Sequence, residues 1–415
     1  MGHQRRAVSE WRSGWRYVFC TDVGSIAMAL QTYTTGIFMK PLVEEMGWSR
    51  AAVSGNMVIM AVCMMLCAPI SGRLVDRYGS RRIALIGAPL FGLSVAGVGL
   101  CTPSIWTWWL AWTFYGLFTF LIGPQVWAAA ISRHFKVSRG LALAVGLSGN
   151  GLGAVLWPGL TIYLIGQFGW RLAYMSMGAL IAAVLGVICF ALMRGPAAEI
   201  AHSKDDTTEK SSEPGLSSSQ AFRSWTFWQI AGAASLMGAA VTAVIVHLPS
   251  LLSDKGWQAP QIAELLTILG PAVIGGRLLV GYLLDKLPGR AVMLAVIVMP
   301  AVGCLALINF DGGYSSALIA VVLIGMTSGA EGDIIAYLLG RYFGLRNFGM
   351  IYGVGLSVFA VGYGCAPAVA GRVFDILQSY NPMMIGLTAL LFLAAPTALT
   401  LKRYPDARDG GSQMR

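Results

Sequence analysis

The chain has 415 residues, of which 56% are hydrophobic and only 12% charged, and its mean hydropathy is +0.67. Soluble globular domains carry about 25% charged residues, so the composition excludes an ordinary soluble fold and describes an all-α membrane protein whose surplus apolar surface faces the lipid bilayer. The formal charge of +10 suggests nucleic acid only until its placement along the chain is read.

The first apolar run covers about 15–40 and is entered through the basic segment MGHQRRAVSEWRSGWR. It is too long for a signal-peptide core and lacks a small-residue cleavage pattern, so it reads as a first span. Asp22 lies near its cytoplasmic end and is expected to be structural, while Gln31 and Tyr33 fall deeper and are candidates to line a cavity. Further runs follow at 51–71, 83–102, 106–131, 139–164, 170–193, 226–252, 259–285, 290–309, 313–340, 347–372 and 381–401, twelve in all. Each has about the 20 apolar residues that a spanning helix needs.

Between the second and third runs stands GRLVDRYGSRR, residues 72–82. Gly72 and Gly79 permit a tight turn and close packing. Asp76, Arg77 and Arg81 supply a charged latch that can hold in one access state and break in the other. The tryptophans at 106, 108, 109 and 112 open the fourth run and read as an interfacial aromatic belt. Tyr115 follows them, and Asn150 interrupts the glycine-rich fifth run. Both are candidate donors to a ligand, as is Tyr33.

Residues 195–224 form the only long polar stretch and are rich in Ser, Glu, Asp and Lys. They fit a flexible linker, which gives an N-terminal six-helix half at 1–194, a cytoplasmic linker at 195–224 and a C-terminal six-helix half at 225–415. With both termini in the cytoplasm, 23 of the 29 Lys and Arg lie on that side, five on the outer side and one inside a span. This is a strong positive-inside bias, so the basic charge expresses topology and predicts no nucleic-acid partner.

In the second half, His247 is the only histidine within a run, and serves either as a proton relay or as a satisfied packing residue. Arg277 is the one cation inside a span, where it costs roughly 2.5–3.5 kcal/mol on insertion scales. It lies eight residues above Asp285, or about 12 Å at the helical rise, close to half of a roughly 30 Å core. Glu331 lies ten residues from Arg341, about 15 Å by the same rise. Glu331 and Asp333 therefore share the depth of Arg277, with Tyr337 below them. An arginine is tolerable there if a carboxylate meets it, and its planar fork binds carboxylates bidentately. A substrate anion and a protein carboxylate competing for one arginine would couple transport to protons through Glu331, Asp333 or His247.

The chain also repeats. A shift of 209 residues places Gly47 and Trp48 on Gly256 and Trp257, and Gly72, Leu74, Asp76 and Arg81 on Gly281, Leu283, Asp285 and Arg290. Parallel repeats of six helices, with a site between them near the midplane, are one way to build a transporter. Asp285 is thus the latch aspartate of the second copy, in which Pro288 replaces the glycine.

The segment 72–82 matches the G-x-x-x-D-R-x-G-x-R-R signature of the major facilitator superfamily. GIFMKPLVEEMGWSRAAVS (36–54), RGLALAVGLSGNGLG (139–153) and GGRLLVGYLLDK (275–286) resemble its monocarboxylate porter and oxalate/formate antiporter branch. The resemblance implies that Arg277, eight residues before Asp285, binds a substrate carboxylate. Oxalate exchangers add a lysine in the eleventh helix, whereas 347–371 holds no Lys or Arg. One buried cation suits one carboxylate. Animal lactate carriers have an aspartate one helical turn before the arginine, and here that position is Val273.

The expectation is a secondary active transporter of a small organic monocarboxylate, proton-coupled, monomeric, in a bacterial inner membrane. Its alternatives are an organic-anion exchanger or aromatic-acid carrier, and a non-transporting sensor on the same fold. No metal-ligand cluster, nucleotide loop or nucleophile–base pair appears in the sequence, so neither cofactor nor metal is expected, and no enzyme. The seven cysteines have no redox or zinc-ligand spacing and are expected to be reduced and structural.

Overall fold

The computed structural model describes residues 2–135, 138–193, 215–308, 310–344 and 347–401. Residues 195–214, most of the expected linker, fall outside the described residues, and of Gly72, Asp76 and Asp285 only the helical backbone is described. The described chain is helical almost throughout, as a bilayer demands, because an intra-segment ladder is the simplest way to satisfy every backbone group in lipid.

The helix Gly2–Met46 opens the fold and is followed by Arg50–Ser54, Asn56–Tyr78, Ser80–Val98, Ile105–Thr119, Pro124–His134, Arg139–Leu147 and Gly149–Leu192. The short helix Ser218–Arg223 falls within the end of the expected linker, and beyond it come Trp225–Asp254, Ala259–Thr267, Leu269–Lys286, Gly289–Leu307, Tyr314–Phe343, Phe348–Leu377 and Asn381–Leu399. Glycines in the left-handed region set the reversals. Gly79 has φ 82° between two helices, and Gly169 has φ 76° and ψ 167° inside Gly149–Leu192.

Ten stretches of the described residues are long and apolar enough to cross a membrane. The Gly2–Met46 helix is not among them, because Asp22, Gln31 and the threonines at 21, 32, 34 and 35 dilute its apolar run. Leu141–Leu192 is a single stretch by that measure although Gly169 bends it. The expected run at 106–131 is broken as well. A 3-10 turn at Phe120–Ile122 ends one helix, and Pro124 starts the next in its first turn, where its missing N–H costs nothing.

Close approach rests on glycine. A Cβ on Gly276 would collide with the Met326 backbone, and one on Gly329 with the Val273 carbonyl, so Leu269–Lys286 and Tyr314–Phe343 touch backbone to backbone. Helices from before and after the linker meet in the same way, with Gly36 on Val246, Gly270 on Gly151 and Gly364 on Met57. The repeat has a structural counterpart in two indoles. Trp48 Nε1 donates to the Pro103 carbonyl at 2.7 Å and Trp257 Nε1 to the Gly312 carbonyl at 3.0 Å, both donor and acceptor displaced by 209 positions. The glycine before each tryptophan has positive φ, 68° at Gly47 and 86° at Gly256.

Candidate functional site

Arg277 is held from two directions. Its Nε donates to Asp333 Oδ2 at 2.9 Å, and its Nη1 donates to the Leu147 carbonyl at 3.1 Å. The glycine contacts at Gly276 and Gly329 bring the arginine helix near enough for the first bond. The second reaches the end of the Arg139–Leu147 helix, before the linker. The Arg277 side chain is 21% exposed and that of Asp333 is 43% exposed. A carboxylate that open within an apolar helix faces water rather than lipid, since bare charge in hydrocarbon is too costly.

Glu331 is buried at 7% exposure, and its Oε2 has no hydrogen-bond partner among the described residues. It lies within electrostatic reach of the Tyr33 and Tyr363 hydroxyls, and Tyr33 is also within reach of Arg277. Tyr363 shares a hydrogen bond of 2.7 Å with Thr32 Oγ1, joining helices from before and after the linker. Tyr352 stands within reach of both Asp333 and Arg277. Arg277, Glu331, Asp333 and Tyr33 therefore gather in one region. Sequence reasoning missed Tyr352 and Tyr363, although both lie in the lysine-free run that it did single out.

The other candidates are placed elsewhere or engaged otherwise. Asn150 is half-buried three residues beyond Leu147, whose carbonyl Arg277 holds. The Tyr337 hydroxyl donates to the Leu284 carbonyl at 3.2 Å and joins two helices. Tyr115 packs between Trp112 and Phe91, with ring centroids 4.5 and 5.0 Å away. Of the latch residues with described side chains, Arg77 is exposed beside the Tyr78 ring, while Arg81 Nε donates at 2.7 Å to the Met193 carbonyl. That carbonyl belongs to the cap of a helix C-terminus, where a cation also complements the macrodipole.

His247 sits apart from Arg277, in a second polar cluster that sequence reasoning did not find. Its Nε2 lies 2.8 Å from the Pro367 carbonyl and its Nδ1 lies 3.1 Å from the Tyr380 hydroxyl. A carbonyl only accepts, so the ring hydrogen belongs on Nε2 and Tyr380 donates to Nδ1. The Tyr380 oxygen in turn accepts from Arg50 Nη1 at 2.6 Å. Arg50 also pairs with Asp254 at 2.9 Å and covers the Phe374 ring at 3.8 Å. Asp375 accepts from the backbone amides of Arg50 and Ala51, both at 3.1 Å. Ser54 Oγ donates to the Pro367 carbonyl at 3.0 Å. Residues 50–54, before the linker, are thus bound to three helix ends beyond it.

Comparison with known proteins agrees with this architecture. The family model of the Major Facilitator Superfamily matches residues 21–367. Monocarboxylate transporter 13 of Bos taurus is 24% identical over 402 residues, covering 94% of this chain and 90% of its own. Monocarboxylate transporter 4 of Gallus gallus is also 24% identical, covering 94% of this chain and 84% of its own. The uncharacterized MFS-type transporter YcxA of Bacillus subtilis (strain 168) is 22% identical, covering 95% and 96%. The crystal structure of the nucleoside transporter NupG superposes with a TM-score of 0.73 at 11% identity, covering 94% of this chain and 99% of its own, which is a likeness of fold.

Proposed function

Belonging to the major facilitator superfamily, the chain is a membrane transporter, and we propose that it carries a small organic monocarboxylate by proton-coupled alternating access. The observation that carries this is Arg277, a cation at mid-depth whose partners are a carboxylate of its own chain and a backbone carbonyl from across the linker. A substrate carboxylate is the chemical equal of the Asp333 side chain and competes with it for the guanidinium. Displaced into a less favourable setting, Asp333 takes up a proton, and the proton crosses with the anion. Glu331, buried beside Tyr33 and Tyr363, is a second station for that proton. The relatives named as monocarboxylate transporters support the same cargo.

The moving parts are two six-helix halves. The paired Trp48 and Trp257 bonds at a common spacing support the duplication. Twelve crossings are supported by the 52-residue stretch Leu141–Leu192, whose length at the helical rise is about 78 Å against a core of roughly 30 Å. It must turn back, and Gly169 is where the backbone allows it. The Arg50 cluster closes the outer side, while the exposed face of Asp333 requires water, which then enters from the cytoplasm. The arrangement fits the inward-facing member of an alternating pair.

The test is uptake of labelled lactate, pyruvate and benzoate into proteoliposomes, with and without an inward proton gradient, for wild type and Arg277→Ala. Gradient-driven accumulation that disappears in the variant is expected. Uptake by Arg277→Ala with wild-type affinity and yield would sink the assignment, and flux that needs an acid inside the vesicle would replace symport by exchange.

A further inference from the structure

Away from Arg277, a cleft of about 320 Å³ opens beside the end of the Trp225–Asp254 helix, at the small end of the range for small-molecule pockets, and in the proposed orientation it faces the outer side. One wall is Ile37 and Lys40 of the first helix with Ile165 of Gly149–Leu192, and the other is Ser250, Ser253 and Ile262 from beyond the linker. It shares the end of the Trp225–Asp254 helix with the Arg50 cluster.

Its polar groups favour an anion. Lys40 Nζ donates to Ser253 Oγ at 3.0 Å, and the exposed ammonium keeps further donors for a ligand. Ser250 lines the cleft at 3% exposure, and its hydroxyl has no hydrogen-bond partner among the described residues. An unsatisfied buried hydroxyl costs about 1–3 kcal/mol, which a ligand oxygen would recover. Ala259, the first residue of the Ala259–Thr267 helix, also borders the space. Trp257 and Gln258 also line the space, and the remaining walls are isoleucine, proline and glycine, which suit a hydrocarbon body and give a hydrated inorganic ion little in exchange for its water.

We propose that this cleft is a second, peripheral site for an amphipathic monocarboxylate arriving from the outer face. Lys40 and Ser250 take the carboxylate, and Ile37, Ile165 and Ile262 take an aryl or branched body. The site does not depend on what Arg277 carries.

The test is equilibrium binding of labelled phenylacetate to the purified full-length chain in detergent. Wild type, Arg277→Ala, Arg277→Ala with Lys40→Ala, and Arg277→Ala with Ser250→Leu are compared, each first shown to be monodisperse. Arg277→Ala should keep one saturable component. Adding Lys40→Ala should weaken it at least about tenfold, the loss of one charge-assisted hydrogen bond. Ser250→Leu, which fills the cleft without touching a charge, should do the same, whereas Lys40→Arg should keep affinity within about threefold. The proposal is overturned if Arg277→Ala alone removes all saturable binding, if the remaining binding ignores both cleft variants, or if wild type binds none. Should wild type and Arg277→Ala bind alike, with both sensitive to Lys40→Ala, the cleft stands and the central anchor fails.

Discussion

At the scale of single residues, Arg277 and Asp333 form a competition that substitution can bias. Asp333→Asn removes the charge that contests the guanidinium while leaving an amide oxygen to accept from it. Binding of the substrate anion should tighten several-fold, and proton-driven accumulation should fall toward simple equilibration. Equilibrium binding and gradient-driven uptake measured on one preparation separate the two effects, and an affinity loss in Asp333→Asn would contradict the competition. The sequence made the meeting of Arg277 with a carboxylate of Tyr314–Phe343 legible, because the helical rise converts residue count into height along each helix. It left the choice between Glu331 and Asp333 open, since residues two apart on a helix point in different directions. The choice falls on Asp333 because Gly276 and Gly329 let two backbones meet at one particular rotation. His247 was legible only as a buried histidine. Its partners Pro367 and Tyr380 lie 120 and 133 positions away.

Among elements, the same glycines carry a prediction. Gly329→Val would drive two methyls into the Val273 carbonyl and separate the arginine helix from the aspartate helix. Overpacking of this kind costs about 1–3 kcal/mol, so the variant should melt earlier and lose transport together with the Arg277–Asp333 bond. Gly275→Ala, next to Gly276 but facing open space, is the matched control and should change neither. On the outer rim, Glu45 accepts from Trp170 Nε1 at 2.7 Å and pairs with Arg171, tying the first helix to the segment that follows Gly169. The Arg171 hydrogen bond holds the Glu45 carboxyl below its ordinary range, and the indole adds to it. A carboxyl lowered in the folded state contributes stability above its unfolded pKa, and that contribution disappears as pH falls through the lowered value. Glu45→Gln should therefore cost a little stability at neutral pH, under about 1 kcal/mol for so exposed a pair. The difference from wild type should vanish in acid, as a melting series against pH would reveal. These helices were legible from apolar runs and glycine positions. The interruptions at Ser148 and at 120–123 were not, because the surrounding residues remain apolar and a bend leaves hydropathy unchanged.

For the whole molecule, the outer closure of the proposed transport cycle turns on one cation. Arg50 collects Asp254, Tyr380 and the face of Phe374, while the backbone beside it holds Asp375. Arg50→Ala should tilt the population toward outward-open states. Met57, buried beneath this cluster against Gly364, gives the readout. In a cysteine-free background, Met57→Cys should react with an impermeant maleimide at least about tenfold faster once Arg50 is removed, and an unchanged rate would show that the closure rests elsewhere. The contacts of Arg50 were not legible beforehand, since Arg50 and Asp254 alone look like solvated loop charges and the partners are more than 200 positions apart. The Arg277 fork, occupied on two sides, has a consequence for the idle protein. Because an aspartate of its own chain already balances the guanidinium charge, an arriving chloride must compete with a carboxylate for the remaining N–H donors. The abundant inorganic anions of the cell are then weak competitors for the site, and chloride added to the uptake buffer should leave substrate affinity nearly unchanged.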